Sequence, residues 1–217
     1  VLAARPFQRV QAAFLPILPA VSRRHFEPVY RGPAHRPWVA FSFNVDWGEE
    51  HLPAMLDELA RAGVRVTFFL TGSWAERFPH LVHAIVLGGH EVGNHGRRHV
   101  HLRALGDDGL RRLILDNERL LRELGARPAP LFAPPYGEFD ARITRVAAEL
   151  GYWTILWTVD TLDWRRPPPG QIVARVARGL RPGAIVLLHP TAPTVAALPV
   201  IIRQLKELGC TFRTLDE

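Results

Sequence analysis

From Trp38 onward, apolar and polar positions alternate between short buried runs and amphipathic stretches. Trp38 to Phe43 reads as a strand. Leu52 to Ala62 carries apolar residues at 52, 55, 56 and 59, the spacing of one helix face, with Gly63 as its stop. Val64 to Leu70 reads as a buried strand. Helices are expected at about 75–87, 107–124, 140–150, 171–180 and 195–208, and strands near 90–93, 130–133, 152–158, 184–188 and 211–215. Such alternation predicts parallel strands joined by crossover helices. Before Trp38 the pattern dissolves. Residues 1–36, rich in proline and arginine, read as an irregular N-terminal arm with one short helix at Phe7 to Phe14, and residues 37–217 as one domain. The chain carries neither an internal repeat nor a low-complexity segment.

An α/β chain of this kind forms either an open doubly wound sheet or a barrel. The polar and aromatic signals sit where strands end: Asn44-Val45-Asp46, His95, Pro134-Pro135-Tyr136, Asp160 to Trp164, and His189. A doubly wound sheet gathers its site in one crevice, whereas a parallel barrel collects residues from several strand ends at one rim. Five separate strand ends predict a distorted (β/α)7-type barrel of parallel strands.

Composition narrows the function. The 217 residues, 47% hydrophobic and 22% charged, suit an ordinary globular domain with a sizeable core. The single cysteine, Cys210, excludes an internal disulfide and a thiolate metal cluster; before Thr211-Phe212-Arg213 it is expected to be a buried structural thiol. A net charge of +6, almost all of it arginine, suits an acidic partner such as an anionic polymer or cell envelope. The arginines are scattered and not interleaved with aromatics in one tract, which argues against nucleic acid. Ala12 to Val21 is too short to span a bilayer and is broken by Pro16 and Pro19, and no export signal is read.

The candidate chemistry centres on Gly88 to His99, which ends in Gly-Asn-His-Gly-Arg-Arg-His. His95 and His99 are expected to share one helical turn and so to face one cation. Such a pair arises easily in a chain with ten histidines, so a third ligand must support it. Asp46, at the mouth of a buried strand, is costly there unless paired or metal-bound, and it lies too early to cap the helix at Leu52. An Asp46-His95-His99 set leaves positions open for water, the pattern of a catalytic divalent site. Gly88-Gly89 reads as a helix stop, and Asp116 and Glu118 as a solvated face.

In these residues the chain resembles the polysaccharide deacetylases of carbohydrate esterase family 4, the NodB-homology domain, from about Trp38 to the C-terminus. The motifs are Ser42-Phe43-Asn44-Val45-Asp46, His95-x-x-x-His99, Ala133-Pro134-Pro135-Tyr136-Gly137, Asp160-Thr161-Leu162-Asp163-Trp164 and Leu187-Leu188-His189. The resemblance implies a zinc-dependent hydrolase that removes N-acetyl groups from an envelope polysaccharide such as peptidoglycan or a chitin-like oligosaccharide. Cobalt, nickel or manganese are alternative cations at Asp46, His95 and His99. It further implies His189 as proton donor, Asp163 as its partner, the backbone N–H of Tyr136 as oxyanion donor, and Trp164, Tyr136, Pro135 and Leu187 as sugar contacts. The stretches around Asn44, Ala133 and His189 resemble a subgroup associated with sporulation, which implies an envelope location. A monomer is expected.

The chain departs from the pattern at two positions together. Asn44 stands where the family has its general base, and Ala133 where it has the arginine that orients that base. An amide cannot take a proton from water, and a buried guanidinium without its carboxylate would be costly. Three readings follow: a deacetylase in which His189 serves as base and acid, or Glu49 or Glu50 substitutes; a glycan-binding pseudoenzyme; or a hydrolase of a small cyclic amide.

Overall fold

β1 (Trp38–Val45) is buried along nearly its whole length, and the other strands are laid out from it. In the computed structural model, which describes residues 26–217, β1 runs parallel to β2 (Thr67–Leu70) on one flank and β7 (Ala184–Leu188) on the other. The short helix expected at Phe7 to Phe14 lies outside the described residues. β3 (Glu91–Asn94), β4 (Leu131–Phe132) and β5 (Trp153–Thr154) extend the sheet beyond β2, and β6 (Val159–Asp160) extends it beyond β7. β8 (Thr211–Arg213) pairs with Trp38 to Ala40, the opening residues of β1, and β2 takes the later ones. All these ladders are parallel, so each step between neighbours needs a crossover.

Helices supply the crossovers: α1 (Leu52–Ala62), α2 (Gly72–Arg77), α3 (Pro79–Leu87), α4 (Asp107–Glu123), α5 (Ala141–Glu149), α6 (Pro169–Gly179) and α7 (Ala192–Glu207). α1 forms where its apolar spacing predicts and stops at Gly63, whose φ of 64° is the left-handed cap. The helix expected over 75–87 is two helices. Pro79 opens a new first turn, where its missing N–H costs nothing, and the chain bends at Phe78.

Strand alternation sorts the core into two faces. Phe41, Phe43 and Val45 point to the helices and pack with Leu52, Met55, Phe68 and Leu198. Phe69, Leu131, Ala133, Ile155 and Ile185 form a separate cluster on the concave face. Asn44 falls on that concave face, between two outward-facing neighbours.

The barrel is not closed. The strand expected over 152–158 is only β5 at Trp153–Thr154; β6 begins beyond it at Val159, and the two do not pair with each other. Val29 fills part of that seam, donating to the Thr154 carbonyl and accepting from the Leu156 N–H, each at 2.8 Å. Gly32 N–H donates to the Gly183 carbonyl at 2.8 Å. Residues 29–32, expected in the irregular arm, are therefore stitched into the sheet.

Candidate active site

The last residues of β1 bring two polar groups to the rim. Asn44 is 7% exposed, and its Oδ1 has no hydrogen-bond partner. Asp46 is held by the start of α2: Thr71, the cap of that helix, donates its hydroxyl to Asp46 Oδ1 at 2.7 Å.

His95 and His99 leave β3 on a loop, not on the helical turn their spacing suggested. Gly96 at φ 82° turns the chain, and two bonds hold the turn: Gly96 N–H to Asn94 Oδ1 at 2.8 Å and Arg97 N–H to the Leu113 carbonyl at 2.8 Å. Asn94 also takes 2.8 Å support from buried Asn117. The two imidazoles still converge, with ring centroids 5.1 Å apart.

His95 Nδ1 lies 2.6 Å from the Ala133 carbonyl. A carbonyl only accepts, so Nδ1 carries the proton and Nε2 keeps a bare lone pair. Burial pushes His95 down to about 3, and the neighbouring His99 adds to the shift. Burial also lowers His99, against the pull of Asp46. Both rings are therefore neutral near pH 7, as metal ligands must be. Among the described residues no three His, Cys, Asp or Glu side chains are drawn together as a ligand shell. A bare imidazole nitrogen, a second neutral imidazole and a carboxylate on one cleft nevertheless fit a divalent cation by donor type.

On the opposite side, His189 Nδ1 stands 2.8 Å from Asp163 Oδ1. Asp163 is fully buried and reaches the cleft only through His189. Trp47 stacks on the His189 ring at 5.8 Å between centroids and 3° between planes. Gly48 permits that stack: at φ 85°, a Cβ there would lie 2.1 Å from the Pro190 carbonyl oxygen. Gly48→Ala is expected to push the two loops apart and unstack Trp47 from His189. Quenching of the Trp47 fluorescence by His189, measured in a Trp47→Phe-controlled comparison, should fall in the variant.

Asn44, Asp46, His95, His99, Leu187 and His189 line one cleft of about 400 Å³. Tyr136 and Trp164, 59% and 46% exposed, flank its mouth. Tyr136 sits in a left-handed conformation, φ 59°, in the turn Pro135–Gly137, and its ring lies 4.3 Å from that of His99.

Several expectations need correction. Pro135 is buried beneath its turn and does not line the cleft, so it is not placed to touch a sugar. Neither Glu49 nor Glu50 lines it, and Glu50 points to His51 at 3.3 Å, so neither can replace the missing base from this position. Cys210 is only half-buried, at the edge of the main core. Trp47, Trp157 and Asp160 do line the cleft. Trp47 and Asp160 adjoin or open motif stretches and could have been found there; Trp157 carried no signal.

A family model described as polysaccharide deacetylase matches residues 31–155. The protein YlxY of Bacillus subtilis is 39% identical over 192 residues, 88% of this chain and 60% of its own length, so the chain spans less than two thirds of that relative. A peptidoglycan-N-acetylglucosamine deacetylase of Bacillus cereus is 33% identical over 205 residues, 90% of this chain and 96% of its own. Among solved structures, a family 4 pseudoenzyme from Bacillus anthracis superposes with TM-score 0.85 at 38% identity, covering 88% of this chain and 68% of that one. A mutant of the same protein, described as having restored enzymatic activity, aligns with the same TM-score at 36% identity.

Proposed function

The chain belongs to the polysaccharide deacetylase family, and from that membership we propose that its cleft takes an N-acetylated envelope glycan and hydrolyses the acetamide slowly. The observation that carries this reading is the contrast within one cleft: the Asp163–His189 pair is assembled at 2.8 Å, while the position of the base is an unpartnered amide, Asn44.

A divalent cation at Asp46, His95 and His99, zinc before cobalt, nickel or manganese, would polarise the acetamide carbonyl and lower the pKa of the attacking water. The chain's own residues do the rest. His189 Nε2, its other nitrogen turned to Asp163, takes the water proton and passes it to the departing amine as the C–N bond breaks and acetate forms. The backbone N–H at Tyr136 serves the developing oxyanion. Asn44 contributes no proton transfer, because its amide is neither base nor acid in this range.

Tyr136 and Trp164 at an open mouth suit a polymer better than a small cyclic amide, and a sugar ring on Trp164 buries apolar surface. Trp164→Ala is expected to weaken binding of N-acetylglucosamine oligomers about tenfold, read by titration calorimetry. The site should lie where an envelope polymer is reached; no helix among the described residues is long and apolar enough to cross a membrane.

Asn44, together with the likeness to a pseudoenzyme, supports a second reading, in which the cleft binds glycan without turnover. Acetate release from acetylated chitooligosaccharides and peptidoglycan fragments by zinc-reconstituted protein separates the two. Slow release abolished by His95→Ala and His189→Ala supports the hydrolase. Retained binding with no release supports the binding protein, and no binding of either glycan contradicts both.

A further inference from the structure

Asp163 is fully enclosed, and a buried carboxylate is a poor anion unless donors surround it. Its donors come from one segment, His189 to Thr194, which leads from β7 into α7. Asp163 Oδ2 accepts the His189 backbone N–H at 2.6 Å and the Thr194 hydroxyl at 2.7 Å, and Oδ1 faces His189 Nδ1 at 2.8 Å. Behind Thr194 stands Thr191, the cap of α7, with the two hydroxyl oxygens 2.7 Å apart. Thr191 and Thr194 are as buried as Asp163, so water does not substitute for either.

The proton positions in this chain follow by elimination. A carboxylate has no hydrogen to give, so the Thr194 hydroxyl donates to Oδ2. Its own oxygen can then only accept, so the Thr191 hydroxyl donates to Thr194. The remaining lone pair of Thr191 takes the Thr194 backbone N–H, at 3.1 Å. Each donor is used once, and all point toward Asp163. The positive end of α7 adds to the same field.

We propose that Thr194, backed by Thr191, is a positioning pair that keeps the proton shared by Asp163 and His189 on His189 Nδ1, leaving Nε2 bare toward the cleft. Without that hydroxyl, Oδ2 retains one donor, and the enclosed carboxylate competes for the Nδ1 proton. The proton then moves to Asp163, Nδ1 becomes an acceptor, and the imidazole presents Nε2–H instead. Protons and charge balance: the Nδ1 proton crosses to Asp163, and Nε2 takes up one proton from solvent, so the pair gains one proton and loses its negative charge. Trp47, stacked on the ring face, limits rotation as an alternative response. From the proposed function this takes only the choice of Nε2 as the working nitrogen.

The test does not need turnover. Ring ¹⁵N resonances of His189, assigned by their loss in His189→Gln, report which nitrogen carries the proton in the neutral ring. The wild type should show Nδ1–H. One charge-assisted bond lost in Thr194→Val should lower the ratio of Nδ1–H to Nε2–H at least about tenfold, with Thr194→Ser returning it toward wild type. Should the valine variant fail to fold, Thr194→Ala gives the same comparison with a smaller side chain. Nε2–H in the wild type overturns the proposal. So does an unchanged ratio in a folded Thr194→Val or Thr194→Ala protein, or a serine variant that shifts as far as valine. Failure of glycan binding or acetate release, with the tautomer result as stated, would fault the proposed function and leave this pair intact.

Discussion

Asn44→Asp combined with Ala133→Arg raises acetate release from N-acetylglucosamine oligomers by roughly 10²- to 10⁴-fold, the range for a positioned general base. Both positions are buried, and they occupy the concave ends of β1 and the strand-end segment after β4. Asn44 Oδ1 already lies unpartnered in the cleft, so a carboxylate there gains an acceptor role without displacing an existing bond. The arginine supplies the countercharge that a buried carboxylate needs. The single changes should not add. Asn44→Asp alone gains less, because an unpaired buried carboxylate resists ionising. Ala133→Arg alone gains nothing and destabilises the fold by about 3–5 kcal/mol, the cost of a buried charge without its partner. Initial rates and thermal melts of the two singles and the double form a complete cycle. Additive rates would show that the two sites do not act as a unit.

Asp163→Asn is the larger loss. The substitution keeps shape, but an amide that turns its nitrogen toward Oδ2's place meets two donors, the His189 N–H and the Thr194 hydroxyl. Turned the other way, it faces Nδ1–H with a donor of its own. The first arrangement strips the His189 loop and Thr194 of their acceptor, and the second disturbs the tautomer of His189. The equivalent change in a serine-protease triad lowers turnover about 10⁴-fold at intact geometry. Residual acetate release here is expected to fall by roughly 10³- to 10⁴-fold with oligomer affinity unchanged. Turnover that survives the change would remove His189 from the proton path.

The architecture was legible because its signals are local. α1 ends at Gly63 by backbone conformation alone, and the buried run before β2 needs no knowledge of its neighbours. The failures share a cause of the opposite kind. The strand read over 152–158 shrinks to β5, because nothing in those residues records that the barrel seam falls there, or that Val29 arrives to fill it. His95 and His99 read as a helical pair because four-residue spacing suggests a turn. Gly96 and the bond from Arg97 to Leu113, a partner far along the chain, fold them as a loop instead. Glu49 and Glu50 were near Asn44 in sequence, yet the positive φ at Gly48 turns the chain away before them. Asp46, Asp163 and His189 were named from their motif positions, and Asp46 and His189 line the cleft with Asp163 behind His189. The Thr191–Thr194 chain behind them was invisible, because two threonines at a helix start look like an ordinary cap until Asp163 is placed against them.

The central claim is a glycan cleft with the Asp163–His189 pair in place and an amide, Asn44, where a carboxylate base would stand. Zinc-reconstituted wild-type protein, mixed with N-acetylglucosamine oligomer, tests it when bound oligomer and released acetate are followed in one sample. The account predicts saturable binding, weakened about tenfold by Trp164→Ala, with slow acetate release that Asp163→Asn removes. Absence of oligomer binding, or fast release indifferent to Asp163→Asn, would contradict it.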